Sequence, residues 1–290
     1  MTGRHAIITQ SDANCADFVE HHWLRSLQSH VALNDVDVHL LDYGLRDDQR
    51  ERLRARGVQC HPATHDGHIT NVRYRDMARL LGGADYDQVL LVDGGDIIFQ
   101  DDIRPLFDQH TDRFRAVCHE LEVPFHELVM SRTDFDRVRF RNIAEFLRDK
   151  PTINGGFVLG PASKMQALWD QFSGMADTFV RFGIDQFLLN CVLHTEGFVE
   201  LESKYNFSIM ARDSAYRIQN GMFYDGRGNI IPVVHNSGIY ELARPVAHFG
   251  YGADRNRPRR VVSALLRAGY HTYNLLRWSD VSRKRNSRSP

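Results

Sequence analysis

No apolar run in this 290-residue chain approaches the roughly 20 residues that a membrane-spanning helix needs, which excludes an integral helical membrane protein. Cysteine is scarce. Cys15, Cys60, Cys118 and Cys191 are dispersed without C-x-x-C spacing, which excludes a thiolate zinc site and a disulfide framework and makes a reducing cytoplasm the expected compartment. The first ten residues lack a basic segment followed by a long apolar stretch, so no export signal is expected there. A phosphate loop of the G-x-x-x-x-G-K type is also missing, which argues against that route to nucleotide chemistry. What remains is the composition of an ordinary soluble globule, 42% apolar and 25% charged, large enough to bury roughly three quarters of its unfolded surface.

The net charge of −1 hides an asymmetry. Residues 253–290 carry nine Arg and one Lys against Asp254 and Asp280, a local balance of +8 that leaves −9 on the body. The predicted organisation is a body of residues 1–252 and a basic tail of residues 253–290. In the body, short apolar runs alternate with helical patterns: Ala6 to Thr9 and Ala16 to Ser29, Val36 to Asp42 and Arg46 to Arg56, Asn71 to Leu81 and Gln88 to Val92. This alternation predicts an α/β fold with βαβ units and a mostly parallel central sheet flanked by helices, whose ligands bind beyond the carboxyl ends of the strands. Residues 112–150 are rich in Arg, Asp, His and Phe without a clean period, which suits an insertion over the cleft better than a central strand. Order returns with a strand at Thr152 to Leu159, helices at Ala162 to Ala176 and Gly183 to Leu193, and a strand at Ile230 to Val234.

The sharpest local signal is the apolar strand Val89 to Val92 running into Asp93-Gly94-Gly95-Asp96. Glycines allow tight turning and close approach of phosphate oxygens. Two carboxylates brought together repel unless a cation lies between them, and hard oxygen ligands suit Mn²⁺ or Mg²⁺, which also bridges a diphosphate. The plain reading is a turn, because Asp and Gly are both common in turns.

The order of motifs resembles GT-A fold glycosyltransferases, and among them glycosyltransferase family 8, the glycogenin and galactosyltransferase group. Ile7 to Asn14, with Thr9, Asp12 and Asn14, resembles the opening strand and loop that receive the nucleotide base. Tyr74-Arg75 resembles the family's Tyr/Arg pair, whose Arg faces the donor. Asp93 to Asp96 stands where the family has Asp-x-Asp, with one glycine more, so its assignment assumes that the turn absorbs the extra residue. Asn154-Gly155-Gly156 resembles the strand lining the sugar site, Asp185-Gln186 the Asp-Gln helix, and His235-Asn236-Ser237-Gly238 the late His-x-x-Gly that completes the metal shell. Cys15 replaces the family's base-stacking Tyr, and Arg244 is the candidate for its late phosphate-binding Lys.

The resemblance implies a Rossmann-like nucleotide-diphospho-sugar transferase that uses Mn²⁺ or Mg²⁺ held by Asp93, Asp96 and His235. It implies a nucleotide diphosphate sugar donor, UDP-linked, contacted by Thr9, Asp12, Asn14, Arg75, Asp93, Gly94, Gly155 and Gly238. Asp185, Gln186 and Asn154 would orient sugar and acceptor, and a hexose would pass with retention to a glycan or glycolipid. The plain readings are an N-cap for Asp185, a strand end for Asn154 and a structural role for any histidine, with His248 as the alternative ligand. A non-catalytic sugar-nucleotide-binding scaffold and a nucleotidyltransferase-like enzyme are the competing functions.

In the tail, Val261, Val262, Leu265, Leu266, Tyr273, Leu276 and Trp278 approximate one helical stripe flanked by Arg259, Arg260, Arg267 and Arg277. That pattern fits a helix lying on the anionic inner face of a membrane, or one docked on the body's own surface. Nucleic acid is not expected as a partner, because no aromatic platform accompanies the basic residues. Thirty-two arginines against four lysines suit a GC-rich bacterial coding sequence and, with it, a surface polysaccharide or glycolipid acceptor.

Overall fold

The computed structural model describes residues 3–119, 135–209, 215–238, 244–252 and 255–261, then 264–265, 268–269 and 272. Four strands, β1 (His5–Ser11), β2 (Val36–Asp42), β3 (Gln59–Pro62) and β4 (Gln88–Val92), pair in parallel in the order β3-β2-β1-β4. β1 and β4 are buried along their whole length, which is why they read as continuous apolar runs. The sheet continues through β7 (Thr152–Pro161), antiparallel to β4, then β6 (Phe114–His119) and β8 (Phe198–Glu200).

The placement of β6 corrects the expectation for residues 112–150, since Phe114–His119 is a strand of the main sheet. The pattern misled because Arg115 lies wholly inside. Its guanidinium donates to the carbonyls of Leu106 (2.8 Å) and Gln109 (2.5 Å) and to Gln88 Oε1, and burial pulls its pKa down to about 10. Residues 137–147 form a helix, and residues 120–134, the rest of the expected insertion, lie outside the described residues.

Successive residues of the central strands face opposite ways, so Ile8, Leu91 and Val158 enter one apolar cluster while Ile7, Leu90 and Leu159 enter another. The first cluster is covered by α4 (Ile69–Leu81), α6 (Ala162–Met175) and α7 (Ile184–Glu196) in a numbering where α5 is Arg137–Leu147. The second is covered by a rod made of α1 (Ala16–Phe18), a π-helical segment Val19–Leu24 and α2 (Arg25–His30), whose Trp23 meets Phe99 edge-on at 5.8 Å. The remaining helix, α3 (Asp47–Ala55), connects β2 to β3. Each large apolar side chain fully withdrawn from water contributes about 1.5–3 kcal/mol, so the two layers hold the sheet rigid beneath its carboxyl edge.

A smaller sheet stands at that edge. β5 (Ile97–Phe99) pairs antiparallel with β10 (Val233–His235), which pairs in parallel with β9 (Phe207–Ser208). The register places His235 opposite Ile97, and the Asn236 amide donates to Asp96 O at 2.9 Å. Contacts of the body run past residue 252: Arg257–Pro258 pairs with Val246–Ala247, and buried Asn256 donates to the carbonyls of Gly221 (3.3 Å) and Gly250 (2.8 Å). Arg260, Val261, Ala264, Leu265, Ala268, Gly269 and Thr272 are helical and exposed, Val261 by 73% and Leu265 by 68%. Residues 273–290 lie outside the described residues, and no described helix is long and apolar enough to cross a membrane.

Candidate active site

Strand pairing, rather than nearness in sequence, assembles the site. β4 ends at Val92 opposite Phe157, so the Asp93 amide donates to Gly156 O at 2.9 Å and the Asn154-Gly155-Gly156 segment lies against the first carboxylate. The Gly94-Gly95 turn brings Asp96 back to the strand that carries His235, so it accommodates the extra glycine. His235 Nε2 is 3.4 Å from Asp96 Oδ1 and 3.9 Å from Asp93 Oδ2. The three donor atoms lie within 4.8 Å of one another.

Each ligand candidate has one atom turned inward and the other engaged elsewhere. Asp93 Oδ1 accepts from Arg73 and from Gln10 Nε2 (3.3 Å), which leaves Oδ2 facing the histidine. Asp96 Oδ2 faces Arg244 at 3.4 Å, which leaves Oδ1. His235 Nδ1 lies 2.9 Å from Asn206 Oδ1, and Asn206 Nδ2 donates onward to Asn154 Oδ1 at 3.2 Å. This chain assigns the proton to Nδ1 and aims the Nε2 lone pair at the two carboxylates, the usual support for a metal-binding imidazole. Burial alone would lower the His235 pKa, but Asp96 and Asp93 outweigh it and raise it. Burial pushes the Asp96 carboxyl upward, and His235, Arg244 and Arg73 together hold it below the usual range.

Asp93, Asp96 and Asp185 lie against the two guanidinium groups of Arg73 and Arg244. Two carboxylate oxygens and one imidazole nitrogen form a donor set for a hard or borderline divalent ion. The set fits Mn²⁺ or Mg²⁺.

Gly156 shows how closely the strand packs on this set. A Cβ there would lie 2.6 Å from His235 Cε1, 2.8 Å from Asp93 Oδ2 and 2.9 Å from Asn154 Oδ1. The change Gly156→Ala is therefore expected to abolish Mn²⁺ binding in a calorimetric titration while leaving cooperative thermal unfolding intact; unchanged binding would show that this space is not the cation site. Gly94 is similarly confined, since a Cβ would meet Thr9 Oγ1 at 2.6 Å and Gln10 O at 2.8 Å.

The other expected site residues divide by position. Thr9 is buried at the end of β1, and its Oγ1 has no hydrogen-bond partner among the described residues. Asp12 Oδ1 accepts from the amides of Asn14 and Cys15, both at 3.0 Å, and Asn14 Nδ2 returns to Asp12 Oδ2 at 3.1 Å, so this pair shapes the loop at the cleft mouth. Asn154 Oδ1 also accepts from the Gly156 amide at 2.8 Å. The Gly155 amide donates to Gln186 Oε1 at 3.2 Å, and Asn190 brackets Ile153 through both its amide (2.8 Å) and its carbonyl (2.9 Å), which fixes α7 beside β7. At Gly238 a Cβ would lie 3.0 Å from Arg244 Cγ, so the glycine leaves that arginine its path to Asp96.

Asp185 does not cap its helix, which begins after Gly183 with no side-chain cap. Its carboxylate accepts from Thr70 Oγ1 at 3.2 Å and faces Arg73 at 3.5 Å. Burial is the main cause that raises its pKa to about 6, with the charge of Asp93 adding to it and Arg73 opposing. His248 is exposed and outside the cluster.

The donor-facing arginine expected from the Tyr/Arg pair is a correction. Arg75 turns away from the cleft to Asp66 (2.6 and 2.8 Å), Thr64 O (2.9 Å) and Asp76. Arg73, two residues earlier on α4, enters the site. Helical period does not single it out, because every position from Asn71 to Met77 except Arg75 is buried; the contacts of Arg73 with Gly155 and Asp185 do.

No protein-family model and no curated protein matches the sequence. Solved structures do match the fold. An active-site mutant of LgtC superposes with a TM-score of 0.55 at 19% identity, over 82% of this chain and 89% of that one. The galactosyltransferase LgtC in complex with donor and acceptor sugar analogs gives 0.52 at 19% identity over 84% and 90%. The bifunctional glycosyltransferase WbbM in its apo form gives 0.53 at 14% identity, over 84% of this chain but 47% of that one. At these identities the likeness is one of fold alone: the chain has the GT-A fold of these glycosyltransferase structures, and the order of its motifs resembles family 8.

Proposed function

We propose that this chain is a metal-dependent glycosyltransferase that moves a hexose from a nucleotide diphosphate sugar, UDP-linked, to a glycan or glycolipid acceptor with retention. The observation that carries the reading is the convergence of Asp93, Asp96 and His235 at the carboxyl edge of the sheet, where α/β folds place nucleotide ligands. Asp93, Asp96 and His235 would hold a divalent cation, which would supply electrostatic stabilisation of the charge developing on the departing diphosphate. Arg244, 27% exposed, would pair with a phosphate oxygen in exchange for Asp96. Thr9 and the Asp12 loop form the cleft wall for the nucleoside. Asn154, Asp185 and Gln186 orient the sugar and the incoming hydroxyl, so that positioning rather than a strong base does the work.

The test is release of nucleoside diphosphate from a panel of nucleotide sugars with Mn²⁺ and with chelator. Release from one donor that requires the cation supports the reading. Absence of both turnover and nucleotide binding overturns it, and a product of inverted anomeric configuration overturns retention alone.

The tail extends the proposal to a surface. Val261 and Leu265 expose an apolar edge beside Arg260, and charge complementarity to an anionic bilayer is worth about 1 kcal/mol per basic residue near the headgroups. Removal of residues 260–290 is expected to weaken binding to vesicles containing phosphatidylglycerol at least tenfold, with phosphatidylcholine vesicles unbound by either form. Equal binding of the shortened chain in a sedimentation assay would assign the helix to another role.

A further inference from the structure

Arg73 belongs to no motif, yet it is the most enclosed charge in the site. Its side chain is 1% exposed, so it reaches the cleft only through the groups it holds. One planar guanidinium serves three acceptors from three elements: Asp93 Oδ1 after β4, Gly155 O on β7 at 3.0 Å and Asp185 Oδ2 on α7 at 3.5 Å. Two of these are carboxylates that would repel each other without it. The other donor to Asp93 Oδ1, Gln10 Nε2, is neutral and 3.3 Å away.

We infer that Arg73 is the positioning residue of the cation site: by fixing Asp93 Oδ1 beside Gly155 and Asp185, it turns Asp93 Oδ2 toward Asp96 and His235. The inference rests on the cation reading above. It assigns Arg73 no contact with substrate.

Two opposite effects separate positioning from simple charge balance. A positive charge beside Asp93 repels a second cation, so charge alone makes Arg73 unfavourable for metal binding. A fork that fixes the carboxylate favours it, because it removes the rotamer freedom the ligand would otherwise lose. Two variants conserve net charge and therefore read geometry. Arg73→Lys keeps the charge as a point and loses the fork. The double variant Arg73→Gln with Asp185→Asn removes one charge of each sign, so Asp185 is not left as a buried carboxylate without its cation, while Asp93, 23% exposed, keeps Gln10 Nε2.

The experiment is titration calorimetry of Mn²⁺ alone into the intact protein and both variants, with thermal unfolding recorded for each. The expected result is a Kd raised about tenfold or more in both, the usual effect of losing a partner of a metal ligand. Unchanged Kd in either variant that unfolds cooperatively overturns the assignment, and a lowered Tm with unchanged Kd marks Arg73 as structural only. Failure of the intact protein to bind Mn²⁺ would instead overturn the cation reading itself.

Discussion

Asp96→Asn is expected to lower cation-dependent release of nucleoside diphosphate by roughly 10³-fold, the scale of removing one preorganised electrostatic partner of a transition state. The side chain is 14% exposed, against 23% for Asp93, and its Oδ1 is the carboxylate oxygen nearest to His235 Nε2, at 3.4 Å. Because His235, Arg244 and Arg73 hold its carboxyl below the usual range against the effect of burial, it stays ionised at any working pH. The variant therefore removes a charge and not a proton, and keeps the shape. In chelator its Tm should stay near that of the intact protein, since Asp93 loses a like-charged neighbour while Arg244, 27% exposed, is left to water.

Asp93→Asn is expected to behave differently, because it deprives an Arg73 that is 1% exposed of its closest anion, a loss of about 3–5 kcal/mol for a buried pair broken on one side. Nucleotide release with Mn²⁺ and thermal scans with EDTA measure both effects. An Asp96→Asn enzyme within tenfold of the intact protein would remove Asp96 from the cation shell.

Most of the scaffold is legible in the sequence because the parallel strands are buried on both faces. Val36–Asp42 and Gln88–Val92 coincide with their apolar runs, and the helices shift by one to three residues at their ends. β6 is hidden because a fully buried arginine, held by two carbonyls and a glutamine, looks like a surface residue to any reading of polarity. The last strand is displaced: residues 233–235 pair with β5, whereas Ile230, 42% exposed, makes only an isolated bridge to Tyr224.

The site is legible where chemistry and chain order coincide, as at Asp93, Asp96 and His235. It is not legible where a contact crosses elements. Asn206 supports His235 from the end of a 3₁₀ turn at Ser203–Asn206, with no motif around it. Arg73 and Arg75 share a residue type and a helix, and only the packing of α4 decides which one faces inward.

The opposite balance of stability and activity is expected at Asp185. Its pKa of about 6, against 3.8 for a free Asp side chain, corresponds to about 3 kcal/mol by which the folded state disfavours the ionised form. The sign follows from proton counting. Below pH 4 both states are protonated; between about pH 4 and 6 the unfolded chain ionises first and binds fewer protons, so stability falls as pH rises through that window and stays lower above it. Asp185→Asn removes the charge, and its amide still offers an oxygen to Arg73 and a donor to Thr70 Oγ1. Part of the gain is offset because Arg73 keeps only one charged partner. In EDTA at pH 7.5 the variant is expected to melt about 3 °C above the intact protein, with the difference shrinking toward zero near pH 4. In the same preparation, restored with Mn²⁺, turnover is expected to fall roughly 10²-fold, because the group proposed to orient the sugar has lost its charge. A Tm difference that does not change with pH would mean that the Asp185 carboxylate is not held ionised against its burial, and unchanged turnover would release it from the sugar subsite.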